Sequence, residues 1–288
     1  MKLAAFQAGA APELGAVVDG HIVPISRAAP GLPSDMMGLI AAWPTIENEV
    51  RAIVSAEAER LPLEGLRLLA PIRRPGKIMA IGLNYADHIA ESGMETPQNQ
   101  VWFAKAATAV NGPFDPIEVS KVSPTLDYEA EMVAVIGQGG RHVARTAAPG
   151  AVFGYCVGND ATERAWQHRT PQWTLGKSFD THAPFGPWIT TADEVPDPHA
   201  LDIRCLVNGE IRQQSNTRHL VFDLWAQIEH LSQAMTLEPG DLIFTGTPGG
   251  VGAAMKPMRF LKPGDLVRIE IEGLGAIENP CVAEADRG

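Results

Sequence analysis

The sequence predicts a β-rich α+β fold: a mixed β-sandwich or rolled sheet preceded by a small N-terminal α+β domain. Three observations predict it. Apolar runs of strand length recur after residue 77, Gly and Pro are plentiful at 28 and 23 of 288 residues, and the turn signals between the runs are evenly spaced. A doubly wound sheet would instead alternate its strands with long helices.

The small unit takes residues 1–70 and the main one residues 71–288. In the first, Ala16-Val17-Val18 and His21-Ile22-Val23 flank Asp19-Gly20, a dipeptide that supplies the positive backbone angles of a tight hairpin turn. Asp35 to Trp43 and Ile46 to Arg60 read as helical. Pro71, Arg73, Arg74 and Pro75 make a linker, because Pro fixes the chain and bars helix continuation. Lys77 to Gly82 (KIMAIG) is then a short strand, Asp127 to Gly137 (DYEAEMVAVIG) the strongest strand, and Val152 to Val157 another. Arg204 to Gln213 reads as a hairpin around Asn208-Gly209. Leu220 to Met235 is the clearest helix, with Val221, Trp225, Ile228, Leu231 and Met235 on one face. Glu238-Pro239-Gly240-Asp241 and Lys262-Pro263-Gly264-Asp265 are similar turns that each launch a strand; the second, Leu266 to Glu272, alternates so that one face is buried.

Composition excludes several classes. With 45% hydrophobic and 20% charged residues, extended disorder is ruled out. The formal net charge is −11, from 23 Lys and Arg against 34 Asp and Glu, with no basic cluster. Nucleic acid and anionic membrane surfaces are therefore poor partners. Cys156, Cys205 and Cys281 cannot all pair and lack metal-knuckle spacing, so they are expected as buried fillers in a reducing cytoplasmic protein. The opening MKLAAFQAGAAPELG is a poor secretory signal, and no stretch approaches 18 apolar residues. TGTPGGVG (Thr245 to Gly252) lacks the Gly-Lys-Ser/Thr ending of a phosphate loop, Gly273-Leu274-Gly275 lacks a dinucleotide fingerprint, and no serine sits in a nucleophile elbow.

The chemistry-bearing residues begin with carboxylates. In a strand, Glu129 and Glu131 point to one face, about 7 Å apart at a rise of about 3.3 Å per residue. Two such acids repel unless a cation neutralises them. Asp127 continues the series. The spacing also suits acids lining the wet face of an edge strand, and it does not decide between these readings. Asp160 ends the strand GYCVGND before the short helix of TERAWQHR, where it could cap that helix in a capping box with Glu163. Together with Glu129 and Glu131 it would also make a hard-metal site for Mg²⁺ or Mn²⁺; zinc is disfavoured because no His or Cys falls close to the acids. His88 and Glu91, three apart in GLNYADHIAESG, meet on one helix face as a general base and its orienting carboxylate, or as a surface pair. Lys177, between Trp173 and Phe179, either snorkels or binds an anion.

Six blocks in order, GLNYADHIAE, DYEAEMVAVIG, GYCVGNDATERAWQ, GKSFDTHAPFGPW, VNGEIRQQSNT and PGDLIFTGTPGGVG, resemble the fumarylacetoacetate hydrolase family over residues 77–282, in its acylpyruvate hydrolase-like bacterial branch. The resemblance implies that family's mixed β-roll with one Mg²⁺ or Mn²⁺ on Glu129, Glu131 and Asp160. It implies a water-activating His88–Glu91 pair on a lid, a catalytic Lys177, and substrate contacts from Arg164, Gln167 and Thr247. Asn84 stands where fumarylacetoacetases bring a further metal carboxylate, which argues for a different keto acid.

The implied reaction is hydrolytic C–C cleavage of a 2,4-diketo acid of acylpyruvate type, the metal stabilising the enolate. Oxaloacetate decarboxylation and 2-hydroxymuconate-type isomerisation or tautomerisation use the same machinery, and the lid residues Met94, Glu95 and Gln98 do not choose. The metal with Lys177 and Arg164 would offset the chain's negative charge toward a small anionic keto acid. A non-catalytic sandwich with a structural cation is the alternative of another class. A homodimer is also implied, with Trp102, Phe103 and the run from Pro184 to Trp188 as contact candidates.

Overall fold

The computed structural model describes residues 1–56, 59–93 and 95–286. Among these, the strands form a twelve-stranded mixed sheet, a five-stranded sheet and a two-stranded ribbon, the β-rich α+β fold expected. The twelve-stranded sheet is centred on Ala130–Ile136, which pairs antiparallel with Val152–Asn159 on one side and Leu242–Phe244 on the other. Ala130–Ile136 is apolar from Met132 onward, instead of alternating, because both of its faces are covered. Met132, Ala134 and Ile136 join the core shared with the five-stranded sheet, alongside Ile203, Cys205 and Ile269. Val133 and Val135 join a second core on the opposite face, with Leu3, Leu39, Phe185 and Phe244.

The N-terminal strands continue the same sheet. Lys2–Gln7 pairs with Glu13–Val18 and also with Ala183–Thr191, so the sheet runs from the opening residues into the main unit. The hairpin turn falls at Asp19-Gly20 as expected, with φ of 47° and 75°. The two helical stretches of the N-terminal unit are one helix, Met36–Ser55, capped by Asp35 and running through Pro44. Leu39, Ile40 and Val50 anchor it in the second core, and that burial outweighs the missing Pro44 N–H. The later helix is shorter than expected, Leu224–Ala234, because Asp223 takes the cap by accepting from Ala226 N at 2.9 Å.

Cys156, Cys205 and Cys281 are all buried and unpaired. Burial pushes each thiol upward, Cys281 to about 12, which fits packing and not reactivity. Phe103 and residues 184–187 are interior, and Trp102 and Trp188 are half-buried. Trp102 packs against the core shared with the five-stranded sheet, and Trp188 against the cluster of Ala4, Phe6, Ile22 and Leu68. No described helix is long and apolar enough to cross a membrane.

Candidate metal centre and its cavity

The expected strand Asp127–Gly137 is broken, and the break builds the site. Leu126–Asp127 pairs with Thr162–Glu163, while Ala130–Ile136 belongs to the large sheet. Between them the Glu129 N–H leaves the ladder and donates to Asn159 Oδ1 at 3.0 Å, and Asp160 N returns to the Glu129 carbonyl at 3.0 Å. Asp160, just past the end of Val152–Asn159, is thereby laid beside Glu129. Ligand oxygens of Glu129, Glu131 and Asp160 lie within 4.8 Å of one another. Their residues are 4%, 1% and 0% exposed, which excludes the wet edge-strand reading. Capping is excluded too, since Glu163 occupies the cap of Arg164–Gln167 without a side-chain bond.

Cations surround the acids. Lys177 Nζ lies 2.7 Å from Glu129 Oε2 and 2.6 Å from Asp160 Oδ2. Arg164 Nη1 is 2.7 Å from Glu129 Oε1, and its Nε is 2.9 Å from Asp127 Oδ2. Lys105, which the motif reading missed, donates to Asp160 Oδ1 at 2.5 Å. Asp127 is therefore no ligand; it orients Arg164 and accepts from Gly252 N and Ala253 N.

Burial would raise the Glu129 carboxyl, but Lys177 and Arg164 outweigh it and hold Glu129 at about 2. Glu131 moves the other way, raised by burial and by the charges of Asp160 and Glu129. Four carboxyls thus face three cations, a set that carries one net negative charge when fully ionised. A like-charge buried trio with its own excess of oxygen donors fits a hard divalent cation. Bound there, the ion would leave the cavity wall net positive and receptive to an anion.

His88 and Glu91 lie on the helix Ala86–Ser92, with His88 Nδ1 2.9 Å from Glu91 Oε1. The second Glu91 oxygen accepts from Gly250 N at 2.8 Å, and Asp87 accepts from Gly249 N and Ser215 Oγ. The glycine-rich segment rejected as a phosphate loop has a different use: its N–H groups hold Glu131, Asp87, Glu91 and Asp127 in place. Gly246 N reaches Glu131 Oε2 at 2.7 Å. Gly250 must be glycine, because at φ +103° a Cβ would come within 2.0 Å of the Arg212 carbonyl.

A cavity of about 430 Å³ is lined by His88, Glu91, Glu129, Glu131, Arg164, Gln167, Lys177 and Thr247, which brings eight of the nine expected site residues to one wall. The ninth, Asp160, is fully buried and joins through its oxygens. Lys177 is 2% exposed, so it does not snorkel. Its aromatic neighbour is Phe103, 4.8 Å to the ring centre, while Phe179 stacks on His182. Gln167 Oε1 accepts from Arg164 Nη1, and Thr247 Oγ1 accepts from Gln213 Nε2. Asn84 is consumed structurally, donating to the Phe222 and Thr245 carbonyls and accepting from Phe222 N. Phe103, Trp173, His168 and Lys256 also line the cavity and carry no motif signal beyond their residue types. Of the lid positions, Met94 lies outside the described residues.

His182, five residues beyond Lys177, is 1% exposed and donates from Nε2 to the Glu118 carbonyl. Burial pushes it down to about 4 from 6.5. The folded state thus refuses a proton that the unfolded chain accepts, so this stability is present above pH 6.5 and lost as pH falls toward 4. Urea unfolding should show about 2 kcal/mol lost between pH 7 and pH 5 from this group. In His182→Phe that part of the pH slope should disappear; an unchanged slope would assign it elsewhere.

Comparison with known proteins agrees with this architecture. The family description "Fumarylacetoacetate (FAA) hydrolase C-terminal" matches residues 77–282. The mitochondrial oxaloacetate tautomerase Fahd2a of Rattus norvegicus is 42% identical over 287 residues, covering 98% of this chain and 92% of that protein. Maleylpyruvate hydrolase from Sphingobium sp. SYK-6, solved with manganese(II) and pyruvate, is 35% identical with a TM-score of 0.84, over 99% of this chain and all of that one. A fumarylacetoacetate hydrolase from Exiguobacterium antarcticum is 36% identical with a TM-score of 0.87 at the same coverage. With its buried acidic divalent-metal site and its full-length likeness to these proteins, the chain belongs to the fumarylacetoacetate hydrolase family of metal-dependent enzymes.

Proposed function

We propose that this protein catalyses keto–enol tautomerisation of oxaloacetate or a closely related 2-keto acid. The observation that carries the reading is the cavity wall itself, where an acid–base pair, His88–Glu91, shares one space with the carboxylate trio and Lys177. The nearly full-length likeness to an oxaloacetate tautomerase favours this outcome over the hydrolysis that the motif blocks imply.

A divalent ion on Glu129, Glu131 and Asp160 would supply Lewis-acid polarisation of the C2 carbonyl and stabilise the enolate charge. The chain's own groups do the rest. Arg164 has a buried Nη2 without a partner, a donor suited to the substrate's C1 carboxylate. His88, its ring set by Glu91, takes the proton from C3 as the C2–C3 double bond forms. Lys177 delivers a proton to the C2 oxygen, and exchange with solvent restores both groups. No bond between carbon atoms breaks.

Hydrolysis is the second reading, supported by the maleylpyruvate hydrolase likeness, and would need the same base to activate water. The test incubates the Mn²⁺-loaded protein with freshly dissolved oxaloacetate and with acylpyruvates. Tautomerisation predicts faster enol decay with no pyruvate released. Two acids formed from an acylpyruvate, with the enol rate unchanged, would establish hydrolysis instead; pyruvate and CO₂ from oxaloacetate would establish decarboxylation.

A further inference from the structure

We propose that Lys105 is a positioning residue that makes this centre selective for a six-coordinate ion such as Mg²⁺ or Mn²⁺ over Ca²⁺. The inference rests on the reading that Glu129, Glu131 and Asp160 hold a divalent ion, and it concerns how they hold it.

Lys105 follows the strand Val101–Ala104, and its backbone N donates to the Ile78 carbonyl at 2.9 Å, which ties it to the large sheet. Its side chain is fully buried and lies outside the cavity lining, so it approaches Asp160 from behind. There Nζ meets Asp160 Oδ1 at 2.5 Å and the Ala161 carbonyl at 3.3 Å.

The other two acids are treated the same way. Arg164 Nη1 takes Glu129 Oε1, and Gly246 N takes Glu131 Oε2. One oxygen of each carboxylate is therefore tied by a donor other than the cavity lysine. Two of the remaining oxygens, Glu129 Oε2 and Asp160 Oδ2, are bridged by the cavity lysine, Lys177.

Denticity is what separates the two classes of ion. Ca²⁺ gathers six to eight oxygens and commonly grips carboxylates with both of them; Mg²⁺ demands a near-ideal octahedron and keeps several waters. Three single oxygens leave half of an octahedron for water and a chelating keto acid, and too few protein ligands for Ca²⁺. Asp160 cannot turn to offer both oxygens without breaking the buried Lys105 Nζ contact to Oδ1, which would leave both groups without that partner.

The test uses the full-length protein stripped of metal. Ca²⁺ competes against Mn²⁺ while free Mn²⁺ is followed by electron paramagnetic resonance. Wild type should prefer Mn²⁺ by about tenfold or more. In Lys105→Met the freed Oδ1 should narrow that preference about tenfold, and Lys105→Arg, which keeps a charged donor, should restore it. A lysine that merely neutralised Asp160 would change both affinities together, so an unchanged ratio in folded Lys105→Met overturns the proposal. Water-proton relaxation of the Mn²⁺-loaded wild type decides the matter without any variant. About three bound waters support single-oxygen ligation, and one or none overturns it. Failure of wild type to bind Mn²⁺ at all would instead remove the metal reading of the site, and the proposal with it.

Discussion

Glu131→Gln is expected to abolish Mn²⁺ binding and to lower turnover about 10³-fold, because several kcal/mol of charge stabilisation depend on the bound ion. Glu131 is the informative ligand. It is the acid that burial and its neighbours Asp160 and Glu129 drive toward protonation, and the amide that replaces it is the isostere of the protonated form. Melting of the metal-free protein should therefore not fall in Glu131→Gln, and the Gly246 N–H keeps an oxygen to donate to. A purely structural cation predicts a different pattern: lower melting of the metal-loaded protein in Glu131→Gln, with His88 and Lys177 dispensable. The raised Glu131 also gives a sign for pH. A cation competes with a proton there, so Mn²⁺ affinity should rise with pH until Glu131 is ionised, and calorimetry in two buffers should detect released protons below that range. Binding without proton release at acidic pH would contradict the shift.

His88→Ala is expected to lower kcat by about 10² to 10⁴ while leaving Mn²⁺ affinity unchanged. His88 bonds to Glu91 and to no metal ligand, so its loss removes proton transfer and spares the ion. Exchange of the C3 protons of a 2-keto acid with deuterated solvent reads that step directly and should fall with turnover. Normal exchange in His88→Ala would assign the base elsewhere. Glu91 does two jobs, orienting His88 and accepting from Gly250 N. Its removal should therefore also loosen the helix Ala86–Ser92 from the glycine-rich segment.

The sequence was a good guide wherever a residue acts through its type and its immediate neighbours. Glu129, Glu131, Asp160, His88, Glu91 and Lys177 were each legible because motif and spacing placed a charged group beside an apolar strand or on a short helix. It was a poor guide to partnership. Lys105 stands in FAKAAT with nothing around it to suggest a role, and Asp127 continues the series of Glu129 and Glu131 although the fold pairs it with Arg164. The glycines of TGTPGGVG act through backbone N–H groups, which no side-chain pattern reports.

Local chemistry along the chain thus determined the turns at Asp19-Gly20 and Asn208-Gly209, the strand character around Met132 to Ile136, and the identity of the acids. Only the tertiary structure decided which donor meets each oxygen of the acids, which cation faces them, and that the helical stretches around Pro44 are continuous. The reason is physical. A turn or a strand answers to backbone angles and side-chain periodicity within a few residues. The charge state and direction of a buried carboxylate answer to groups such as Lys105 and Gly246, which folding brings from 55 and 115 residues away.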